Sequence, residues 1–174
     1  MHNSPHNDPP ETESAPIFHI VLVEPDIPPN TGNIARLCAG ASCWLHLIEP
    51  LGFRLNDRTL KRAGLDYWNA VHIQRHNSLD AFFETIAPER FFLFSTKGRK
   101  TYTDITYRKH DALIFGSETR GLSEQLLEAH PEKTLYIPMN RTAIRSMNLS
   151  NAVAVALYEG LRQTRFPLNS DQST

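Results

Sequence analysis

Among the eight glycines of this 174-residue chain there is no Gly-x-Gly pair. The glycine-rich fingerprint of dinucleotide-binding folds is therefore absent, and so is the P-loop, which disfavours a nicotinamide-type oxidoreductase or a Walker ATPase. Ser117 follows Gly116 but lacks the second glycine of a nucleophile elbow. Cysteine is scarce: Cys38 and Cys43 are the two present, four residues separate them, and no further ligands at zinc spacing accompany them. They read as buried, reduced thiols. His72 and His76 stand four apart with no carboxylate to complete a ligand set, so no metal site is expected. Long apolar runs are missing as well. The longest, at 17–23, is interrupted by His19 and is too short to span a membrane. The N-terminus lacks the basic and apolar segments of a signal peptide, and the expectation is a cytoplasmic protein with no membrane partner. Excess charge of either sign is also absent. The net charge is −1, so any attraction to nucleic acid must come from a local basic patch.

What is present suits one ordinary domain. A chain of this length buries roughly two thirds of its unfolded surface and can build a core without staples. Residues 1–16, with four prolines and three acidic residues, read as a disordered tail, and 167–174 as a second, leaving one domain over 17–166. Within it, short β-branched or aromatic runs alternate with helical periodicity. Strands are expected at 18–23, 44–48, 70–73, 91–95, 112–115 and 134–137. Pro25, Pro28 and Pro29 are read as ending the first strand in a loop. Helices are expected at 30–42, capped by Asn30 or Thr31, and at 57–65, 78–86, 122–130 and 149–164. The last carries an apolar stripe of Leu149, Val153, Ala156, Leu157, Gly160 and Leu161. The alternation predicts an α/β fold with a mostly parallel sheet and helices on both faces. Ligands of such sheets sit beyond the carboxyl ends of the strands, so the loops after Val23, Ser95, Phe115 and Ile137 are where chemistry is sought.

Three loops are unusual. In the first, 28–36, Arg36 is read as standing one turn inside a helix, where a positive charge is unfavourable unless an anion lies near. In the second, 115–122, Gly116 permits close backbone approach to a ligand and Gly121 a left-handed turn, while Glu118 and Arg120 sit at a strand's carboxyl end. In the third, Ile137, Pro138 and Met139 precede Ser146, Asn148, Ser150 and Asn151, more hydrogen-bonding residues than one helix cap requires. Uncharged donors and acceptors of this kind suit an adenosine, a ribose or an amino-acid tail.

These residues carry a resemblance. Asn30-Thr31-Gly32-Asn33-x-x-Arg36, Phe115-Gly116-x-Glu118-x-x-Gly121-Leu122 and Ile137-Pro138-Met139 with Ser146-x-Asn148-x-Ser150-Asn151-Ala152 resemble, in order and separation, the three motifs of the SPOUT class of RNA methyltransferases. The finer likeness is to the minimal single-domain TrmL (YibK-like) branch, which methylates the wobble ribose of tRNA. It rests on Glu24 to Asn30, Ile48-Glu49-Pro50-x-Gly52-Phe53, Arg62 to Tyr67, Thr96-Lys97-Gly98 and Arg145 to Asn151. One departure is the stretch 140–144, slightly longer than is typical; another is the N-terminal tail, which the family does not need.

The resemblance implies a deep C-terminal trefoil knot, a rare exception to the rules of chain topology. It implies S-adenosylmethionine as cofactor, held by Phe94, Gly116, Ile137, Met139, Ser146 and Leu149, and no metal. It implies a homodimer packed through the first and last helices, with Tyr158 at the interface and the active site completed across it. By position Arg36 is the catalytic arginine, with Asn33, Glu118, Ser146 and Asn148 arranging the ribose and the loops. Guanidinium groups stay protonated in proteins, so Arg36 is better cast as gripping a phosphate and stabilising the developing alkoxide than as a base. The anticodon stem-loop of tRNA would meet basic clusters: Arg54, Arg58, Lys61 and Arg62 in one, Lys97, Arg99 and Lys100 in the other. The expected activity is 2′-O-methylation of cytidine or uridine 34 in leucine tRNAs. The alternatives are another tRNA position or ribosomal RNA and, further off, a non-catalytic RNA-binding module.

Overall fold

The computed structural model describes residues 15–54 and 70–168. Most of both expected tails, the expected helix at 57–65, and Arg58, Lys61 and Arg62 lie outside the described residues. In chain order the elements are β1 (His19–Val23), α1 (Pro28–Gly40), β2 (Trp44–Ile48), β3 (Ile73–His76), α2 (Leu79–Ile86), β4 (Phe91–Phe94), β5 (Lys100–Thr101), β6 (Ala112–Phe115), α3 (Glu124–Ala129), β7 (Thr134–Tyr136) and α4 (Leu149–Gln163). The seven strands form one sheet, ordered β3-β2-β1-β6-β4-β7-β5, with every pairing parallel.

Strand periodicity divides the core. Along β1, Ile20 and Leu22 face one way and join Ile34 and Cys38 of α1 with Val153 and Leu157 of α4. Val21 faces the other way and meets Phe82 of α2 and Leu127. Side chains two apart share a face, so one apolar run serves both layers. The expected helices on both faces are thus present. The six residues of the expected α4 stripe are the ones that helix buries. Gly160 belongs to it because a Cβ there would lie 2.9 Å from the Phe18 ring.

Several boundaries differ from expectation. Helix α1 starts at Pro28, with Ile27 at the cap position and no side-chain cap; Asn30 and Thr31 lie inside its first turn. Pro28 and Pro29 therefore open the helix instead of breaking the chain, because a proline at the first helical positions gives up an amide that has no partner there anyway. Strand β3 is Ile73–His76, three residues later than expected. Helix α3 is shorter than expected and is capped by the Ser123 hydroxyl, which accepts from the Leu126 amide. Strand β5 had no counterpart in the sequence reading; at two residues it is too short to show periodicity.

Beneath α2 three histidines line up across adjacent strands. His19 Nδ1 lies 2.9 Å from His46 Nε2, and His46 Nδ1 lies 3.0 Å from His76 Nε2. All three are buried, and Phe82 stands edge-on to both His46 and His76. Burial pushes His19 down to about 4 and His46 down to about 2, and lowers His76. Each neighbouring imidazole adds to the effect on His46.

Candidate functional site

The carboxyl ends of β1, β4, β6 and β7 open into a cavity of about 590 Å³. That is a common size for a small-molecule or cofactor site. Its walls come from all three unusual loops. Phe94, Gly116, Ile137, Met139, Ser146 and Leu149, the six residues assigned to a cofactor, all line it, as do Glu118 and Asn148. The Phe94 and Phe115 rings stack at 4.6 Å and 15° from adjacent strands in register, giving the cavity an apolar wall.

One hydrogen-bonded relay ties the loops together. The Glu118 carboxylate accepts from the amides of Asp26 at 2.7 Å and Ile27 at 3.2 Å, just ahead of α1. It also accepts from Asn30 Nδ2 at 3.0 Å. The Asn30 carbonyl oxygen in turn accepts from Asn148 Nδ2 at 3.0 Å. Asn148 spends its own carbonyl on the start of α4, accepting from the Ser150 and Asn151 amides at 2.9 and 3.3 Å. A carboxylate at the amino end of α1 also meets the positive end of the helix dipole. Two exposed contacts reinforce the join: Thr119 Oγ1 donates to Asp26 at 2.6 Å, and Arg120 pairs with Glu24 at 2.9 Å.

The relay gives Asn30 a role that sequence reading missed. Instead of capping the helix, it is buried and joins the first loop to the other two. A buried asparagine needs partners for both ends of its amide, and here a carboxylate and a second asparagine supply them. Gly116 also packs on its own chain. A Cβ there would lie 2.0 Å from the Gly121 backbone, so the close packing of its own chain already requires glycine at this point of the cavity wall. Gly121, at φ +68°, takes the left-handed turn expected of it.

Arg36 and Asn33 are exposed on α1 and do not line the cavity. With α1 starting at Pro28, Arg36 stands eight residues into a thirteen-residue helix, so the dipole argument for a nearby anion falls away. Lys97 lies on the cavity rim and is ion-paired with Glu124. Tyr158 projects from α4 with 47% of its surface exposed. Among the described residues no group of His, Cys, Asp and Glu is arranged to hold a metal ion, and no helix is long and apolar enough to cross a membrane. Cys38 and Cys43 are free, buried thiols.

Comparison with known proteins places this geometry. The chain is 52% identical over 151 residues to the tRNA (cytidine(34)-2′-O)-methyltransferase of Saccharophagus degradans, covering 86% of this chain and 97% of that one. A structure solved to explain 2-OH methylation of C/U34 on tRNA superposes with a TM-score of 0.80 at 47% identity, covering 85% of this chain and 96% of the other. An AdoMet-bound rRNA methyltransferase from Sinorhizobium meliloti superposes with a TM-score of 0.74 at 25% identity, covering 86% of this chain and 57% of its own. Residues 17–158 match the SpoU rRNA methylase family, and the chain belongs to that family.

Proposed function

We propose that this chain is an S-adenosylmethionine-dependent tRNA (cytidine(34)/uridine(34)-2′-O)-methyltransferase, acting in the cytoplasm on the wobble ribose of leucine tRNAs. The observation that carries the reading is the Glu118–Asn30–Asn148 relay, which gathers three loops around one cofactor-sized cavity. Identity of about half with relatives of that name supports the substrate, and the AdoMet-bound relative supports the cofactor.

The residues present fit that cofactor. Stacked Phe94 and Phe115 offer a flat apolar wall, while Ser146 and Asn148 offer neutral polar atoms on the same cavity. When bound, S-adenosylmethionine supplies an electrophilic methyl group. The chain's task is then to hold a ribose 2′-hydroxyl in line with it and to stabilise the alkoxide as its proton leaves. In this reading Asn148, positioned by Asn30, and Ser146 order the ribose side of the cavity. Glu118 fixes the loops, and Arg36 with Asn33 contacts the RNA.

Arg36 lies off its own chain's cavity, which favours a homodimer whose second subunit completes the site. The exposed Tyr158 on α4, beside α1, suits such an interface. We also propose that the chain is knotted. Strand β7 slots between β4 and β5, which are joined by residues 95–99 alone. That link runs so close over β7 that a Cβ on Gly98 would lie 2.4 Å from the Leu135 backbone.

The test is methyl transfer from labelled S-adenosylmethionine into total tRNA from a strain lacking the activity, with the modified nucleotide mapped. Label on the wobble ribose of leucine tRNA supports the full reading. Label elsewhere overturns the substrate. Cofactor binding without label overturns the catalytic role.

A further inference from the structure

The stretch 140–144 forms a self-contained turn. The Asn140 side-chain oxygen accepts from the Thr142 amide at 3.1 Å and from its hydroxyl at 2.6 Å. The Asn140 backbone oxygen accepts from the amides of Ala143 and Ile144. A turn closed by its own bonds presents its remaining side chains in a fixed direction. Arg141 is the one that reaches across. Its Nη2 donates to the Thr96 carbonyl at 2.7 Å, and its guanidinium stands 5.8 Å from the centre of the Tyr136 ring.

Those partners lie at the ends of two adjacent strands, where the Ser95 amide also donates to the Leu135 carbonyl at 3.0 Å. Thr96 belongs to the loop after β4 and lines the cavity; Tyr136 ends β7 and runs directly into Ile137 and Met139, which also line it. The loop after β4 closes its own turn through Ser95, whose oxygens accept from the Gly98 and Lys97 amides, so the Thr96 carbonyl is left for Arg141. Arg141 itself belongs to the loop entering α4, so its bond to Thr96 ties that loop to the β4 loop at the mouth of the site. Its Nη2 donor faces protein and not the space a ligand would fill. It stands apart from the Glu118–Asn30–Asn148 relay, on the side of the cavity that holds Met139.

We infer that Arg141 is a positioning residue that straps the β4 loop to the loop entering α4 and so slows release of the cofactor. The inference rests on the cofactor reading above. A contact that holds a site in its binding shape improves affinity by reducing the ordering cost of binding, and the gain falls mainly on the dissociation rate.

The experiment uses S-adenosylhomocysteine as the probe on the full chain, with affinity from calorimetry and release from displacement kinetics. Arg141→Ala should bind about two- to tenfold more weakly, the range one exposed hydrogen bond corresponds to, with the change in the release rate. Arg141→Lys, which can still donate to Thr96, should recover part of it. Arg141→Met keeps an apolar stem over Tyr136 without the donor and should release the probe as fast as the alanine variant; it serves if the alanine variant is poorly folded. Unchanged affinity and release in both the alanine and methionine variants would overturn the strap. So would unchanged cofactor binding with a raised KM for RNA, which would make Arg141 an RNA contact. Failure of the unaltered protein to bind the probe would overturn the cofactor reading itself, a different result.

Discussion

Glu118 and Asn30, 88 positions apart in sequence, meet at 3.0 Å. The carboxylate can accept from the Asn30 amide only because Asn30 turns its nitrogen toward it, which leaves the asparagine oxygen for Asn148. Asn30→Ala should therefore reduce single-turnover methyl transfer by about ten- to a hundredfold, as expected for loss of positioning near a reacting group. Asn30→Asp should be worse, since it sets a second carboxylate against Glu118 and replaces a donor with an acceptor. Equal activity in the two variants would show that the polarity of the relay does not matter.

Arg36 is proposed to grip a phosphate and offset developing negative charge. Lysine keeps the charge but loses the planar fork. Arg36→Lys is expected to lower kcat by about a hundredfold, the scale of a lost transition-state hydrogen bond. Its binding of S-adenosylhomocysteine should be unchanged, because Arg36 does not line the cavity. Near-normal turnover of the lysine variant would sink the grip.

Lys97 is held by an exposed ion pair with Glu124, and such pairs are weak enough to yield to a phosphate. RNA affinity should fall steeply between 50 and 200 mM salt, as counterion release requires of roughly any phosphate-binding surface. Lys97→Ala should flatten the slope of log affinity against log salt by about 0.7 to 0.9, one contact's share. A parallel slope at lower affinity would remove Lys97 from the phosphate-binding set.

The histidine array predicts acid sensitivity. His19, His46 and His76 all have depressed values in the folded chain, with burial the main cause. Once unfolded they titrate near 6.5, so below that pH the unfolded chain binds more protons than the folded one. Their stabilising contribution is complete above about pH 6.5 and drains away as pH falls toward 4, at about 1.4 kcal/mol per pH unit for each proton taken up on unfolding. Urea midpoints measured from pH 7.5 to 4.5 should show this decline. It should be shallower in His46→Phe, which removes the central ring of the array. Identical slopes in both proteins would assign the acid sensitivity to carboxylates.

Legibility in the sequence followed the range of the interactions. The α4 stripe is a local pattern, read from residues three or four apart, and the structure bears it out. So does the alternation that made the sheet parallel. Strand β3 was misplaced because Ile73-Gln74-Arg75-His76 looks polar, and only its neighbours reveal that His76 is buried. Asn30 was assigned to capping because capping is the local use of an asparagine before a helix; its actual partners are 88 and 118 positions away. The six residues assigned to a cofactor came from resemblance, and the cavity brings them together. Asn33 came from the same source, Arg36 from that and from its expected place in the first turn of a helix, and both stand outside the cavity.

The place of β7 between β4 and β5 also dictates an order of assembly. Until residues 134–136 arrive, β4 offers Phe91-Phe92-Leu93-Phe94 along an unpaired edge, and β5 has no strand to pair with. An apolar edge of that kind invites pairing with another chain. The β4 edge thus stays open until the chain has been made as far as residue 136. A pause in synthesis between β6 and β7 should cost this protein more in aggregation than the same pause before β4.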